Sequence, residues 1–203
     1  MKIVKPHAEM LYPMYTYGIL ERIENAGRTA YQSFDRIAPG SAEDFVRMIL
    51  RNGHESVLEH ETISMRLVTD RGISHELVRH RLAAYTQEST RYCAYKDEIE
   101  VIEPGWTSID EDSYITWIQT MEELETEYQI LLHSVPPQFA RAVLPTCLAT
   151  ELVMTANLRE WRHILKLRLD PAAHPDMRRL MRLVLDEMKK YVPIVFDDIE
   201  VQE

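Results

Sequence analysis

One stretch of the sequence carries a dense set of hydrogen-bonding side chains. Residues 79–92 read RHRLAAYTQESTRY and include Arg79, Arg81 and Arg91. Guanidinium groups match phosphate oxygens with paired donors, and tyrosine rings stack on bases. The stretch therefore indicates a site for a nucleotide or a dinucleotide. From the residues alone, a solvated and charged helix end stays open, because arginine clusters are common on protein surfaces.

The spacing within this stretch resembles a known signature. Arg79-His80-Arg81, followed after seven residues by Ser89, is similar to the RHR-x7-S signature of the flavin-dependent thymidylate synthases. The flanking residues that also look like the extended motif of that family are Tyr85, Gln87, Arg91 and Tyr92.

Three further segments extend the resemblance over most of the chain. Residues 53–60 (GHESVLEH) resemble the histidine-containing segment of the family, and residues 140–145 (ARAVLP) resemble its second nucleotide-binding segment. Residues 157–168 resemble its C-terminal active-site helix. Because the segments occur in the same order as in the family, the chain is identified as a member of it.

The resemblance implies an enzyme that converts dUMP to dTMP. In such an enzyme FAD is the cofactor, NADPH is the reductant and methylenetetrahydrofolate is the carbon donor. The resemblance also implies a homotetramer whose active sites draw residues from several subunits. Two departures from the family pattern are Ala84, where serine is common, and Glu76, where glutamine is common. These departures leave open a catalytically idle nucleotide- and flavin-binding protein.

Carried over position by position, the resemblance implies three sets of site residues. The catalytic positions are Arg168, which would polarise the pyrimidine, and His54, which would lie close to the flavin. The flavin-contacting positions are Ser56, Arg79, His80, Arg81, Gln87, Asn157, Arg159 and His163, the last where the family often has asparagine. The dUMP-contacting positions are Glu76, Arg79, Gln87, Glu88, Ser89, Thr90, Arg91, Arg141 and Arg168. No metal ligand is implied, and from the sequence Arg168 could instead pair with Asp170 or with a neighbouring helix on the surface.

Two other chemistries are disfavoured by the sequence. Residues 75–80 (HELVRH) resemble the zinc-binding HExxH string, but the second histidine is one residue late. On a helix this pair would diverge by about 140° instead of sharing a face. A thiolate mechanism would use Cys93, but the chain lacks the pattern of the unrelated thiol-dependent thymidylate synthases. Free cysteines are more often buried structural residues, and Cys93 and Cys147 form no disulfide framework.

Composition limits the remaining classes of partner. The 203-residue chain has a formal net charge of −10, which disfavours binding of nucleic acid over a broad surface. A small anionic ligand needs only a local cationic pocket.

No apolar run approaches the roughly 18 residues of a membrane span, and the first residues lack the apolar core of a signal peptide. We therefore expect a cytoplasmic protein without a membrane partner.

The elements that must position these residues follow from hydrophobic periodicity. Ile63, Met65 and Leu67 alternate with polar residues, which predicts a strand over residues 63–68 that Gly72 ends. Leu148, Leu152 and Met154 indicate a second strand. Helices are predicted over residues 12–26, 42–51, 73–81, 110–133, 136–144, 157–167 and 175–191.

Capping residues support several of these helix starts. Ser41 is expected to cap the second helix, with Asp44 in the capping-box position, and Asn157 is expected to cap the sixth. The cluster that begins at Arg79 is expected to enter a loop. The predicted fold class is α+β, mostly helical with a small antiparallel sheet, in a single domain over residues 1–203.

Overall fold

The computed structural model describes residues 1–106 and 109–201. The strands are β1 (Lys2–Val4), β2 (His7–Met10), β3 (Thr62–Asp70), β4 (Ala83–Gln87), β5 (Glu100–Ile102) and β6 (Ala149–Asn157). The helices are α1 (Ile19–Arg28), α2 (Ser41–Arg51), α3 (Arg71–Leu77), α4 (Glu111–Leu132), α5 (Pro137–Ala140), α6 (Leu158–Arg168), α7 (Pro175–Tyr191) and α8 (Pro193–Phe196). Short 3₁₀ helices occupy Pro13–Thr16, Thr29–Tyr31, Phe34–Arg36, Glu55–His60 and Arg141–Val143. The predicted mixture of helices with a small antiparallel sheet is confirmed.

The main sheet has the strand order β2-β3-β6-β4, and all of its pairs are antiparallel. In the central pair Met65 lies opposite Met154 and Leu67 lies opposite Leu152, and all four side chains are buried. Because side chains alternate across a strand, the neighbouring residues form a second, half-exposed face of the sheet. A separate parallel pair, β1 with β5, was not predicted.

The first predicted strand is confirmed, but it ends later than expected. β3 continues to Asp70, whose carboxylate oxygen accepts a hydrogen bond of 2.7 Å from the backbone N–H of Ile73. This N-cap starts α3 directly after the strand. The prediction that Gly72 ends the strand is therefore wrong, since Gly72 lies in the first turn of α3.

Three predicted helix starts are confirmed by their local geometry. Asp110 Oδ1 accepts from the backbone N–H of Ser113 at 2.8 Å and caps α4. Asn157 Oδ1 accepts from the backbone N–H of Glu160, also at 2.8 Å, and caps α6. α7 begins at Pro175, in the first helical turn where proline loses no hydrogen bond.

Two predicted helix starts are wrong because glycines in the left-handed conformation precede the helices. Gly18 has φ of 70° and separates the 3₁₀ helix Pro13–Thr16 from α1, so no continuous helix begins at residue 12. Gly40 has φ of 82° and is the N-cap of α2. Ser41 is the first residue of α2, and its hydroxyl donates to Glu24 at 2.8 Å instead of capping, so the predicted capping box does not form.

The segment after α3 also differs from the prediction. α3 ends at Leu77, and residues 83–87 form β4 at the edge of the sheet instead of a loop. Tyr85 explains this conformation, because its hydroxyl donates to the backbone carbonyls of Leu77 (2.7 Å) and His80 (2.9 Å). These bonds fold the turn after α3 back onto the strand. The RHR residues therefore lie in a tight, anchored turn.

The buried residues form two apolar clusters. The larger lies between the covered face of the sheet and helices α1, α2, α6, α7 and α8, with Trp161 and Phe196 fully buried. The smaller packs α4 against β5 and includes Tyr128, Met121 and Val101. Within the described ranges, no helix is long and apolar enough to cross a membrane.

Candidate functional site

The centre of the candidate site is a contact between the end of α6 and the turn after α3. Arg168 Nε donates to His80 Nε2 at 3.0 Å, and a terminal nitrogen of Arg168 donates to Glu76 Oε2 at 2.9 Å. The Arg168 side chain is 18% exposed, so the guanidinium is held at the rim of the protein interior. The alternative pair with Asp170 does not form, and Asp170 accepts from the backbone N–H of Ala172. The alternative pair with a neighbouring helix does form, because Glu76 lies in α3.

His80 is the buried member of the RHR motif. Burial, followed by the charge of Arg168 and the neighbouring His163, lowers the pKa of the His80 imidazole from 6.5 to about 4. The rings of His80 and His163 meet edge-on, with their centroids 6.1 Å apart. His80 Nδ1 lies 3.7 Å from Glu160 Oε1. His80 is therefore a neutral imidazole between a buried carboxylate and a guanidinium.

A cleft of about 640 Å³ opens beside this contact at the N-terminal end of α6. Three predicted flavin-binding residues line it, namely Asn157, Arg159 and His163. The other lining residues are Glu55, Glu59, Leu82, Glu160 and Lys166. Asn157 uses its carbonyl oxygen to cap α6, so its amide N–H groups are left to donate into the cleft. Arg159 forms an ion pair with Glu59 on the cleft wall.

Four other predicted residues lie on the surface. Arg79 and Arg81 are exposed on either side of buried His80, and across residues 1–106 and 109–201 neither has a side-chain hydrogen bond or ion pair. His54 and Ser56 are exposed at the start of the 3₁₀ helix Glu55–His60. This helix is joined to α6 through Glu55, which accepts from Arg162 at 3.1 Å.

Two predicted dUMP-contacting arginines converge at the loop after β4. Arg141 donates to the hydroxyl of Thr90 at 3.1 Å, and Arg91 Nε donates to the amide oxygen of Gln138 at 3.3 Å. Ser89 Oγ accepts from the backbone N–H of Arg91 at 3.3 Å and shapes the loop. Both guanidinium groups have neutral partners, and neither has an ion pair in the part of the chain that the structure describes. Their charge is thus available to an anion.

Gln87 and Glu88 are more constrained than the sequence indicated. The Gln87 amide nitrogen donates to Ser74 Oγ (2.9 Å) and to Thr150 Oγ1 (3.1 Å) on the covered face of the sheet. Only its carbonyl oxygen is left to contact a ligand. Glu88 accepts from the Tyr95 hydroxyl at 2.7 Å, and burial followed by this hydrogen bond raises the pKa of Tyr95. Gln87 and Glu88 line a second cleft of about 790 Å³.

Two buried charged residues of α6 were missed by sequence reasoning. Glu160 is 7% exposed and faces His80, although its position in the first turn of a capped helix is typical of a surface carboxylate. Arg162 is 1% exposed and donates to both carboxylate oxygens of Asp198, at 2.6 and 2.7 Å. The only sequence signal for them was their place on a predicted site helix. Their burial was not expected, because charged residues are seldom buried without a partner.

The thiol and zinc alternatives gain no support from the geometry. Cys147 Sγ lies 3.3 Å from Met121 Sδ, and burial raises the pKa of the Cys147 thiol, which opposes thiolate formation. Cys93 is exposed. His75 is exposed on α3 whereas His80 is buried beyond its end, so the two rings do not share a helix face. The described residues contain no group of three or more His, Cys, Asp or Glu side chains suited to a metal ion.

Known sequences match most of the chain. The family model described as thymidylate synthase complementing protein matches residues 14–194. A flavin-dependent thymidylate synthase of Mycobacterium bovis (strain BCG / Pasteur 1173P2) is 35% identical over 197 residues, covering 88% of this chain and 79% of that protein. A protein of the same name from Corynebacterium aurimucosum is 33% identical over 198 residues, with the same shares covered.

Solved structures share the fold. Thymidylate synthase X from Helicobacter pylori, determined with FAD and dUMP, is similar with a TM-score of 0.77 and 22% identity, covering 96% of this chain and 98% of that one. The UMP/dUMP methylase PolB from Streptomyces cacaoi, determined with 5-Br dUMP, is similar with a TM-score of 0.74 and 21% identity, covering 97% and 96%. The family match over residues 14–194 and the relatives above 30% identity lead to one conclusion: the chain belongs to the flavin-dependent thymidylate synthase family.

Proposed function

We propose that this protein converts dUMP to dTMP with FAD as cofactor, NADPH as reductant and methylenetetrahydrofolate as carbon donor. The observation that carries this proposal is the contact of Arg168 with His80 and Glu76, because it joins the RHR motif to the last residue of α6. A guanidinium held at this rim supplies a fixed positive charge. The electron-poor pyrimidine ring of dUMP must gain negative charge during the reaction, and the guanidinium would stabilise that charge. Arg168 is the proposed catalytic residue for that reason.

The residues of this chain fit FAD. The diphosphate of FAD requires cationic donors, and Arg79 and Arg81 are exposed beside the cleft at α6. The cleft itself mixes carboxylates with Arg159, Lys166 and His163, which suits the polar edges of a ring better than a phosphate. FAD supplies hydride transfer when bound, chemistry that no protein side chain provides.

We assign the remaining flavin contacts to the cleft and its borders. Asn157 would donate through its amide, and His163 stands beside His80 at the cleft. His54 and Ser56 border the cleft through the neighbouring residue Glu55. Gln87 would contribute only its carbonyl oxygen, because both of its N–H groups are engaged inside the chain.

The dUMP phosphate is assigned to Arg91 and Arg141. Both arginines have only neutral hydrogen-bond partners, so a dianionic phosphate could replace weak contacts with charge-assisted ones. Ser89 and Thr90 supply hydroxyls in the same loop, and Glu88 borders it. These residues hold and orient the nucleotide, whereas Arg168 stabilises charge on the ring.

The active site is proposed to be shared between subunits of a homotetramer. Asn157 and Arg168 lie at opposite ends of α6, which is roughly 16 Å long. The loop that carries Arg91 follows β4, the edge strand of the sheet, whereas α6 follows the interior strand β6. One face of that sheet is half-exposed, and large apolar side chains such as Leu82 and Tyr92 are 75% and 76% exposed. Exposed apolar groups of this kind often mark protein interfaces. We further propose that residues 1–203 form one domain and that the enzyme is cytoplasmic.

A visible absorption titration with FAD tests the proposal directly. We expect the purified protein to bind FAD at micromolar concentration and, with dUMP, methylenetetrahydrofolate and NADPH, to form dTMP. Failure to bind FAD would contradict the proposal. Binding of FAD and dUMP without dTMP formation would identify a catalytically idle nucleotide-binding protein.

A further inference from the structure

The contact between Arg168 and His80 restricts the protonation of the imidazole. The Nε of an arginine carries a hydrogen and has no acceptor capacity. Because Arg168 Nε lies 3.0 Å from His80 Nε2, that ring nitrogen must be the acceptor and must carry no proton. A histidine protonated at Nε2 would place two donors face to face. A neutral His80 therefore carries its hydrogen on Nδ1.

Glu160 is placed to stabilise this tautomer. Its Oε1 lies 3.7 Å from His80 Nδ1, close enough for a direct electrostatic attraction to the Nδ1–H group. Both residues are buried, at 6% exposure for His80 and 7% for Glu160, so water screens this attraction little. Asn157 binds the backbone N–H of Glu160 and thereby fixes the start of the helix that carries it.

The charged and titratable groups that face His80 come from several elements. Arg168 and His163 approach from α6, together with Glu160, and Tyr85 of β4 donates to the His80 backbone carbonyl. Burial and then the charge of Glu160 raise the pKa of Tyr85 to about 12, so this hydroxyl stays a donor and keeps the turn anchored. The His80 backbone is thus anchored by Tyr85, its Nε2 accepts from Arg168, and its Nδ1 faces Glu160 Oε1 at 3.7 Å.

We propose that Glu160 is a positioning residue for the methylation reaction, acting through His80. Glu160 holds His80 in the Nδ1–H tautomer, and His80 Nε2 then accepts from Arg168 Nε. Glu76 accepts from both terminal nitrogens, through its carboxylate at 2.9 Å and its backbone carbonyl at 3.4 Å, and His80 as the further acceptor fixes the rotation of the guanidinium plane. One N–H group on each terminal nitrogen of Arg168 is then left, in a fixed position, to contact a ligand. This inference rests on the role proposed for Arg168 in dTMP formation.

The tautomer is measured without flavin or nucleotide, by nitrogen NMR of the protein labelled with 15N-histidine. The His80 signals are assigned by their loss in His80→Gln. We expect an unprotonated Nε2 and a protonated Nδ1 at neutral pH. An Nε2–H tautomer or a doubly protonated ring in the wild-type protein would overturn the inference, whatever the enzyme's activity.

Two variants of Glu160 test its part in this arrangement. Glu160→Leu removes the carboxylate, and we expect Nε2–H His80 to appear together with an approximately tenfold lower kcat and little change in KM for dUMP. Glu160→Gln keeps an acceptor oxygen and should restore most of the rate. An unchanged tautomer and an unchanged kcat in folded Glu160→Leu would overturn the inference.

A double-mutant cycle separates positioning from general destabilisation. Glutamine at position 80 has no tautomers, and its amide oxygen can accept at the place of Nε2. In the His80→Gln background we therefore expect Glu160→Leu to lower kcat no further, whereas full additivity would contradict the coupling. His75→Gln and Glu122→Gln are matched controls, because both side chains are exposed and lie outside the site.

The inference and the proposed function fail in different ways. If the wild-type protein does not bind FAD or form dTMP, the proposed function fails while the tautomer measurement still stands. If dTMP forms but the tautomer or the coupling is absent, only the inference fails.

Discussion

At the scale of single residues, Arg168 shows why a charge and a geometry are separate contributions. Its guanidinium donates to three acceptors, namely His80 Nε2, Glu76 Oε2 and, at 3.4 Å, the backbone carbonyl of Glu76. A lysine ammonium carries the same charge but lacks the planar fork of donors. The single nitrogen of a lysine could therefore not take the places of all three guanidinium nitrogens at these acceptors and also contact a ligand.

We expect Arg168→Lys to slow turnover more than it weakens dUMP binding. Loss of one preorganised donor typically costs about 2 to 4 kcal/mol in the transition state. The measurements are dUMP affinity by titration and the rate at which dUMP and folate reoxidise the reduced flavin. A normal reoxidation rate in the variant would remove Arg168 from the chemistry.

His80 also makes stability depend on pH. The unfolded chain binds a proton at His80 below about pH 6.5, whereas the lowered pKa keeps the folded imidazole neutral down to about 4. The unfolded state therefore binds more protons between these values, and the free energy of unfolding falls as the pH falls. The slope from this group is at most about 1.4 kcal/mol per pH unit, and above pH 6.5 it vanishes.

Chemical denaturation at pH 7 and pH 4.5 checks this expectation. His80→Gln removes the group, so the loss of stability on acidification should be smaller than in the wild-type protein. His75→Gln, an exposed histidine on α3, should keep the wild-type dependence. Equal slopes in the wild-type protein and His80→Gln would refute the contribution of His80.

At the scale of elements, α6 is the helix that organises the proposed site. Its N-terminal end carries Asn157 at the cleft, its first turn carries Glu160, and its last residue is Arg168. Trp161 anchors the helix to the sheet, because its indole N–H donates to the backbone carbonyl of Ile63 at 3.0 Å. A substitution that moves one end of α6 is therefore expected to affect the binding of both proposed ligands, FAD and dUMP.

A comparison of two helix caps tests this role of α6. Asn157 and Asp110 each accept one backbone hydrogen bond of 2.8 Å, so Asn157→Ala and Asp110→Ala should each cost about 1 kcal/mol of stability. Only Asn157→Ala should also weaken FAD binding, since Asp110 caps α4 away from the cleft. The measurements are denaturation curves and flavin titrations. An equal loss of flavin affinity in both variants would mean that stability alone accounts for it.

At the scale of the whole molecule, the half-exposed face of the sheet is the surface that we propose to contact another subunit. Arg66 lies on this face within 3.5 Å of Glu9 and 3.6 Å of Glu151, while its Nε is buried and makes no hydrogen bond within the described ranges. Val153 lies opposite Arg66 in the register and is half-buried. A mixed face of this kind is suited to a polar protein interface.

We expect Val153→Lys to lower the oligomer mass measured by light scattering. The substitution adds a second cation beside Arg66 and would leave like charges facing each other across the proposed interface. Thr120→Lys, on the exposed side of α4, is the matched control and should keep the wild-type mass. An unchanged mass in Val153→Lys would place the interface elsewhere.

Local patterns determined a large part of the fold. The starts of α4, α6 and α7 follow from Asp110, Asn157 and Pro175, because capping and proline chemistry act over three or four residues. The strand at residues 63–68 follows from strict alternation. The family was also readable from the sequence, since a motif such as Arg79-His80-Arg81 with Ser89 is a linear pattern.

Only the tertiary structure decided how the proposed site residues meet. His80 and Arg168 are 88 residues apart, and no local pattern encodes which of their nitrogens touch. Gln87 turned inward because Thr150 of the neighbouring strand offered it a partner. The parallel pair of β1 and β5 was likewise invisible, since three-residue strands have no measurable period. The physical reason is common to these cases, because contacts between distant segments depend on packing of the whole chain and not on local propensity.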